Sequence, residues 1–399
     1  MNQTRKGSDF RIMIVAGEAS GDGHAASLVD SLRSEHPEVS FSFFGATGPA
    51  MREAGVETVV ESDHLSIMGV AEVTRAIGRF WRAYQQLKQA AKREKPDAVI
   101  LLDWPEFNMR LARAIHRQGL RVIYYISPQL WAWRSYRIRG IRRDVDLLLT
   151  ILPFEKKWYH DRGVDHVEFV GNPLAGEVKP SIDRAQFCAQ HDLDPQSPIV
   201  ALLPGSRHKE LVRILPVIAR AALKIAIKRP ELQFVVPLAP NRPLSETEEV
   251  LATAANVMGS DVSIFHIVAD QTYEALGAAD AAVVASGTAT LETAILGTPM
   301  VVVYKESAAN WKLFRWMIDV EHFGLVNLIA GDRLATELFQ HDLTVAKVEA
   351  EIERLLEPEV NREFRERLAQ VKAKLGEESA SDRAAAVITE ALLQWRQMG

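Results

Sequence analysis

Cysteine is almost absent from this sequence, which has Cys188 alone in 399 residues. One cysteine excludes an intramolecular disulfide and a cysteine cluster for a metal ion, so a reducing compartment is expected. The sequence also lacks an apolar run of about 18 residues, which a transmembrane helix would need. The N-terminal stretch MNQTRKGSDF is polar and lacks the apolar region of a signal peptide. We therefore expect a cytoplasmic protein, without excluding association with a membrane surface.

Charge of one sign is not in large excess either. The formal net charge is −5 and 25% of the residues are charged, so nothing indicates a nucleic-acid partner. Hydrophobic residues make up 47% of the chain, the balance of an ordinary globular protein. A chain of this length exceeds one ordinary core, which predicts two domains.

Short β-branched runs alternate with longer helical patterns along the chain. Apolar strands separated by helices indicate parallel sheets covered on both faces. The predicted strands are 11–16, 39–45, 98–103, 121–126, 147–151, 168–170, 199–204, 233–237, 262–267, 281–284 and 300–304. The stretches RIMIVAGEASGDGHAASLVDSLR and PIVALLPGSRHKELVRILPVIARAAL both have the order strand, glycine-bearing loop, helix. This repetition predicts an α/β fold with two Rossmann-like, doubly wound domains.

The stretch GNPLAGEVKPSIDRAQF has the glycine, proline and serine content of a domain boundary. We therefore predict an N-terminal domain over 1–180 and a C-terminal domain over 181–365. The C-terminal helices, 366–399, are expected to pack back on the N-terminal domain. Ligands of doubly wound sheets bind outside the carboxyl ends of the strands, and four strand-end loops are candidates for such a site.

The first candidate loop is ASGTATLE, residues 285–292. Its small residues open a predicted helix, whose first backbone N–H groups favour an anion such as a diphosphate. Glu292 can accept hydrogen bonds from the two hydroxyls of a ribose. The alternative is a tight turn in which Glu292 is a solvated helix residue. The candidate site residues are Ser286, Gly287, Thr288, Ala289, Thr290 and Glu292.

The second candidate loop is LLPGSRHKEL, residues 202–211. A glycine and a serine follow the predicted strand, and Arg207 adds a forked cation to the start of the next helix. The loop lacks the Gly-Lys-Ser/Thr end of a Walker motif. Arg207 is therefore a second candidate anion ligand, and a surface arginine in a turn is the alternative.

The third candidate loop, AGEASGDGHAASL, follows the first predicted strand. It lacks the G-x-G-x-x-G spacing of a dinucleotide fingerprint. Gly17, Ser20 and Gly21 would let a ligand approach the backbone, and Asp22 lies in the same loop. A plain strand–helix turn explains the loop equally well.

The fourth candidate loop is LLDWPEFNMRLA, residues 101–112. Asp103 ends an apolar strand beside a tryptophan, where partial burial would raise the pKa of its carboxyl toward that of a useful general base. Glu106 and Asn108 follow within five residues. The alternative is that Asp103 caps the next helix.

One amphipathic segment suggests a lipid surface. In LSIMGVAEVTRAIGRFWRAY, residues 65–84, helical spacing separates an apolar face from three arginines. Such a helix fits an anionic membrane interface, and packing on the sheet is the alternative. The candidate membrane contacts are Val70, Val73, Ile77, Phe80 and Trp81. The stretch WAWRSYRIRGIRR adds five arginines and three aromatics, which fit a phosphate or headgroup surface or a solvated loop.

The four loops occur in the order of a known family. With VAGEASGD, IMGVAEV, SPQLWAWRSYR, LPFEKKWY, ALLPGSR and ASGTATLE, the sequence resembles the lipid-A-disaccharide synthases, GT-B glycosyltransferases with two domains facing a cleft. The resemblance runs from Met13 to about Arg333. It implies transfer from UDP-2,3-diacylglucosamine to 2,3-diacylglucosamine 1-phosphate, which gives a β-1,6-linked disaccharide phosphate and UDP. It also implies no metal or other cofactor, and a peripheral place on the inner face of the inner membrane. The oligomeric state stays open, a homodimer included.

The resemblance also implies roles for particular residues. Residues 286–290 correspond to the diphosphate cradle, Glu292 to a ribose ligand and Arg207 to a cation near the diphosphate. Asn327 in LVNLIAG corresponds to a polar position near the nucleotide, and Asp103 to the proposed catalytic position. The sequence has Trp-Pro-Glu after Asp103 where many relatives have Ala-Pro-Asp, so Glu106 keeps the negative charge on a longer side chain.

Two other hypotheses remain at this point. The first is a UDP-sugar 2-epimerase of the same fold, which would need no interfacial helix and would release no disaccharide. The second is a nucleotide-sugar-binding protein without catalysis, in which Asp103 would not reach the substrate.

Overall fold

The computed structural model describes residues 9–35, 37–63, 73–239, 242–307, 322–376 and 379–398. The chain divides into two compact units. The first contains Met1–Pro173 and Leu375–Gly399, and the second contains Leu174–Lys374.

The first unit is a parallel sheet with helices on both faces. Its strands are β1 (Asp9–Ala16), β2 (Ser40–Thr47), β3 (Glu57–Glu61), β4 (Ala98–Leu102), β5 (Arg121–Tyr125), β6 (Leu147–Thr150) and β7 (Val167–Phe169). Its helices are α1 (Ala19–Ser34), α2 (Pro49–Glu53), α3 (Val73–Glu94), α4 (Pro105–His116), α5 (Ile138–Asp144), α6 (Pro153–His160) and, at the chain's end, α16 (Ala380–Met398). Over the described residues the strand order is β3-β2-β1-β4-β5-β6-β7, with every pair parallel.

The second unit repeats this architecture. Its strands are β8 (Ile199–Leu203), β9 (Gln233–Pro237), β10 (Phe265–Val268), β11 (Ala281–Ala285), β12 (Met300–Tyr304) and β13 (Glu337–Phe339). Its helices are α7 (Leu174–Glu177), α8 (Arg184–Gln190), α9 (His208–Lys228), α10 (Leu244–Met258), α11 (Thr272–Ala278), α12 (Thr288–Ile295), α13 (Leu325–Ala330), α14 (Val345–Leu355) and α15 (Pro358–Lys374). In the described part of this unit the parallel order is β10-β9-β8-β11-β12-β13.

The strands are apolar on both sides because each sheet is covered on both faces. Along β1, Ile12 and Ile14 pack into one hydrophobic cluster, and Met13 and Val15 pack into the other. The same alternation recurs in β4, whose five residues are all buried. Two Rossmann-like domains, predicted from the repeated strand–loop–helix pattern, are confirmed.

The last helix returns to the first sheet. Helix α16 packs on α1, where the Ser31 hydroxyl donates a hydrogen bond to Asp382 at 2.6 Å. Near the chain's end, Arg396 pairs with Asp97 at 3.2 Å and lies over the ring of Phe10. Residues far apart in sequence therefore complete one core.

Candidate functional site

The turn between β4 and α4 has an unusual backbone. Asp103 and Trp104 both have positive φ, at 44° and 48°, which is uncommon for residues other than glycine. The Asn108 amide donates hydrogen bonds to the carbonyls of Leu102 and Asp103, both at 2.9 Å, and the Tyr124 hydroxyl donates to the Asp103 carbonyl at 2.7 Å. The fold therefore holds Asp103 through its backbone.

The carboxylate of Asp103 does not cap α4. The residue before that helix is Trp104, and no side chain caps the helix start. Asp103 is half-buried, and burial raises the pKa of its carboxyl above the ordinary value, while the Trp104 N–H and the charge of His24 act against this rise. A desolvated carboxylate at a strand end has the properties of a general base.

The loop after β1 lies against this turn. Ala16 pairs with Leu102 in the sheet, and a Cβ on Gly17 would come within 2.1 Å of the Trp104 indole. Trp104 in turn stacks on Phe107, with the ring centroids 4.1 Å apart. Only a glycine fits at position 17 without moving the indole, so Gly17 shapes the surroundings of Asp103.

The other predicted residues of the β1 loop differ in their environment. Ser20 is exposed and Gly21 is buried in the first turn of α1. The Asp22 carboxylate is 4% exposed and accepts hydrogen bonds from the N–H groups of residues 48, 50 and 51, at 2.8, 2.7 and 3.2 Å. Asp22 thus anchors the start of α2, and this carboxylate already has a task in the fold.

Glu106 and Asn108 are engaged in the fold as well. Glu106 forms a two-pronged ion pair with Arg137, with both N–O distances 2.9 Å, and it also pairs with Arg134. The hydrogen bond from Arg137 lowers the pKa of Glu106. Asn108 is fully buried and orients the Asp103 backbone. Both side chains are therefore less available to a ligand than the half-buried Asp103 carboxylate.

The second unit presents the predicted diphosphate loop at the end of β11. Gly287 has φ 151°, and among the residues that the structure describes no side chain caps the start of α12. Thr288 is exposed and Ala289 is half-buried. The Thr290 hydroxyl donates to the Gly287 carbonyl at 2.8 Å, and the Ser286 hydroxyl donates to the Phe323 carbonyl at 3.2 Å. The helix start therefore has the uncapped amides that an anion site requires.

Glu292 lies one turn into α12. It is half-buried, and burial raises the pKa of its carboxyl, against a hydrogen bond from Tyr273. The Tyr273 hydroxyl donates that bond at 3.2 Å, and burial and the Glu292 charge raise the pKa of Tyr273 to about 12. Glu292 therefore differs from the solvated helix residue of the alternative interpretation.

Arg207 and Asn327 have contrasting environments. The Arg207 side chain is 81% exposed and forms one ion pair, with Glu210 at 3.2 Å. Asn327 is fully buried, and its amide bonds the backbone of Ala335 in both directions and the Glu337 carboxylate. Glu337 accepts bonds from the N–H groups of residues 323 and 324. The exposed Arg207 is open to a ligand, whereas Asn327 ties α13 to the residues that follow this helix. Glu337 then connects Asn327 to the residues before α13.

A buried carboxylate that the sequence did not single out lies between two strand-end loops. Glu155 is 1% exposed and accepts bonds from Ser127 at 2.9 Å, from the Trp131 indole at 2.9 Å, and from the N–H groups of residues 151 and 152 at 3.2 and 3.0 Å. Burial raises its pKa to about 7. Glu155 ties the loop after β5 to the loop after β6.

The residues of the predicted apolar face of α3 differ in their exposure to solvent. Val70 lies outside the described residues, as do the side chains of Val73 and Ile77. Phe80 packs near Trp104, with the centroids 5.5 Å apart, whereas Trp81 is 62% exposed. Across the residues described, no helix has both the length and the apolar character needed to span a bilayer.

No cluster of three or more potential metal ligands occurs among the described residues. Two Asp-x-Asp pairs have the spacing that many nucleotide-sugar transferases use for a metal ion, and three of their four carboxylates have partners in the fold. Asp144 pairs with Arg143 at 2.6 Å, Asp146 pairs with Arg121 at 2.7 Å, and Asp194 accepts bonds from residues 196 and 197. Asp192, the partner of Asp194 in the second pair, has positive φ.

Solved structures share the fold at low identity. A putative UDP-N-acetylglucosamine 2-epimerase from Listeria monocytogenes matches with a TM-score of 0.65 and 14% identity over 97% of each chain. UDP-GlcNAc 2-epimerase from Neisseria meningitidis, bound to UDP-GlcNAc, matches with 0.62 and 16% identity over 96% of this chain and 100% of that one. A glycosyltransferase from Rickettsia africae also matches, with 0.57 and 11% identity over 98% and 100%. These likenesses define the class of fold, GT-B.

Sequence comparison narrows this class to one family. The profile of the family described as lipid-A-disaccharide synthetase matches residues 12–391. The lipid-A-disaccharide synthase of Geobacter sulfurreducens is 42% identical over 96% of this chain and 98% of its own length, and that of Nitrosococcus oceani is 39% identical over 97% of each. The chain belongs to the lipid-A-disaccharide synthase family, as the ordered loop motifs predicted.

Proposed function

We propose that the chain joins UDP-2,3-diacylglucosamine to 2,3-diacylglucosamine 1-phosphate and releases UDP. The observation that carries this proposal is family membership over almost the whole chain. The half-buried Asp103 carboxylate, which accepts a hydrogen bond from the Trp104 N–H and does not cap α4, would supply the base that such a transfer needs.

Asp103 is the proposed general base. A β-linked product from an α-linked UDP donor requires inversion, so the acceptor 6-hydroxyl attacks the donor C1 in one displacement. The new C1–O bond forms as the bond from C1 to the UDP phosphate oxygen breaks, and its electron pair leaves with UDP. The hydroxyl proton passes to Asp103, whose raised pKa suits this transfer. Asn108 and Tyr124 are positioning residues because they bond the Asp103 carbonyl.

The second unit supplies the proposed donor residues. The uncapped amides at the start of α12, over 287–289, would bind the diphosphate, and Arg207 would balance the charge that gathers on the leaving UDP. The half-buried Glu292 would accept hydrogen bonds from the ribose. Ser286 and Thr290 hold the backbone around this loop, since their hydroxyls donate to the carbonyls of Phe323 and Gly287. Asn327 is further removed, because its amide bonds Ala335 and Glu337.

A lipid surface is part of the proposal, because both substrates carry acyl chains. Trp81 supports it as a 62% exposed tryptophan next to the exposed Arg82 on α3. Phe80 contacts the protein's own aromatic residues instead. We therefore place the membrane contact on the Trp81 side of the helix.

Mass spectrometry of the lipid products tests the function. With both substrates the chain should give the disaccharide 1-phosphate and one UDP for each disaccharide, and with the donor alone it should give neither. A donor altered at C2 in the absence of acceptor would instead support the UDP-sugar 2-epimerase alternative.

A further inference from the structure

The side chain of Glu18 has no evident structural role among the described residues. It precedes α1 with an extended backbone, φ −122° and ψ 159°, and its side chain does not cap the helix. Glutamate is not a preferred residue at such a position. The side chain is exposed, and within the described ranges no hydrogen bond or ion pair of the Glu18 carboxylate is found. Local structure therefore does not explain this residue.

Glu18 lies beside Asp103. The β1–β4 register puts Ala16 next to Leu102, so both chains leave the same edge of the sheet, and Gly17 touches the Trp104 indole. Partial burial, and then the charge of Asp103, raise the pKa of Glu18. Two neighbouring carboxylates repel each other when both are ionised. A ligand that donates hydrogen bonds to them would offset this repulsion.

The other carboxylates of these two loops are already engaged. Asp22 accepts three backbone hydrogen bonds, and Glu106 pairs with Arg134 and Arg137. Glu18 is therefore the carboxylate that remains, beside Asp103, to meet a substrate at this edge.

The chemistry of the acceptor matches a pair of carboxylates. The proposed acceptor has acyl groups on N2 and O3 and a phosphate on C1, so its free hydroxyls are those on C4 and C6. Asp103 takes the proton of the attacking 6-hydroxyl. We propose that Glu18 accepts a hydrogen bond from the 4-hydroxyl and so determines the acceptor's identity and orientation. This inference rests on the proposed function.

An acceptor analogue that lacks the 4-hydroxyl tests the inference. Wild-type protein should use the 4-deoxy acceptor with a kcat/KM about 10 to 100 times lower than the parent acceptor, the effect of losing a hydrogen bond to a charged group. Glu18→Ala should lower kcat/KM for the parent by a similar factor and leave the 4-deoxy acceptor within about threefold. Glu35→Ala, at the exposed other end of α1, is the matched control and should change neither value.

The other possible results of these assays separate the proposed function from the proposed role of Glu18. Wild-type protein that makes no disaccharide from the parent acceptor contradicts the proposed function, and the role of Glu18 falls with it. Equal use of both acceptors by wild-type protein, or equal losses for both acceptors in Glu18→Ala, would overturn the role of Glu18. If Glu18→Ala does not fold, Glu18→Gln replaces it. The amide keeps an accepting oxygen but loses the charge, so the preference for the 4-hydroxyl should fall by roughly threefold to tenfold, and an unchanged preference would also overturn the inference.

Discussion

Asp103 has a strained backbone and a half-buried carboxylate that does not cap a helix. Two consecutive left-handed residues other than glycine, Asp103 and Trp104, cost on the order of 1–3 kcal/mol each, and such strain persists only where the surroundings hold it. Here Asn108 and Tyr124 hold the carbonyl, and Trp104 stacks between Gly17 and Phe107. The Asp103 carboxylate at this turn stays half-buried, as the proposed base requires.

Glu292 is predicted to bind the ribose hydroxyls of UDP. Glu292→Ala should weaken UDP binding by about 2 kcal/mol, because hydrogen bonds from two hydroxyls to a carboxylate are lost. Binding of 2′,3′-dideoxy-UDP should change little, since that ligand has no such hydroxyls. Calorimetry with both ligands measures the difference, and equal losses would assign Glu292 a structural role with Tyr273.

Individual carboxylates show where sequence alone stops. The sequence placed Asp22, Asp103 and Glu106 in candidate loops, but it could not tell which of them the fold had engaged. The partners of Asp22 lie 26 to 29 residues away, and Arg137 lies 31 residues from Glu106. Glu18 was missed for the same reason, because its proximity to Asp103 depends on the β1–β4 register.

Secondary-structure elements were easier to predict, because periodicity is local. The eleven predicted strands all match strands of the structure, although the one predicted over 262–267 begins as a short 3-10 helix, Val262–Ile264. Strands β3 and β13 were not predicted. Both lie at sheet edges, where ETVVE is mostly exposed and ELF has three residues, so neither has the continuous apolar run of a central strand.

The Glu155 tie between the β5 and β6 loops makes stability depend on pH. Its pKa is raised from 4.5 to about 7 by burial, so the folded protein keeps this proton over a range in which the unfolded chain has lost it. The free energy of unfolding should therefore fall as pH rises from about 4.5 to about 7, by up to about 3 kcal/mol, and then level off.

Urea unfolding of wild-type protein and of Glu155→Gln at several pH values measures this contribution. The glutamine does not titrate, so the difference between the two proteins should change across the window and stay constant above it. Parallel curves throughout would show that Glu155 is ionised in the folded protein, held by its four donors.

The fold of the protein does not by itself determine which reaction it catalyses. Epimerases and glycosyltransferases both share this architecture at 11–16% identity, as expected when function depends on a site added to a common fold. The family was identified by sequence motifs and sequence comparison, not by the fold. The return of α16 to the first unit depends on contacts over some 350 residues, such as that between Ser31 and Asp382.

The proposed membrane contact can be tested with the intact protein on lipid vesicles. Trp81→Ser should reduce sedimentation with vesicles that contain anionic lipid, because it removes the exposed aromatic group from α3. UDP binding should stay unchanged. Ile227→Ser is the matched control, since Ile227 is 72% exposed on α9 of the second unit. Equal sedimentation of all three proteins would exclude Trp81 as the contact.

In the proposed mechanism Asp103 of the first unit is the base and the second unit binds the donor. Turnover and UDP affinity, measured together in Asp103→Asn, test this mechanism most directly, with Thr288→Glu as the opposite variant. Asp103→Asn should lower turnover by a factor of about 10² to 10⁴ with UDP affinity unchanged, whereas Thr288→Glu should lose UDP binding through charge repulsion at the start of α12. Near-normal turnover in folded Asp103→Asn, or loss of UDP binding in that variant, would contradict the assignment of Asp103 as the base.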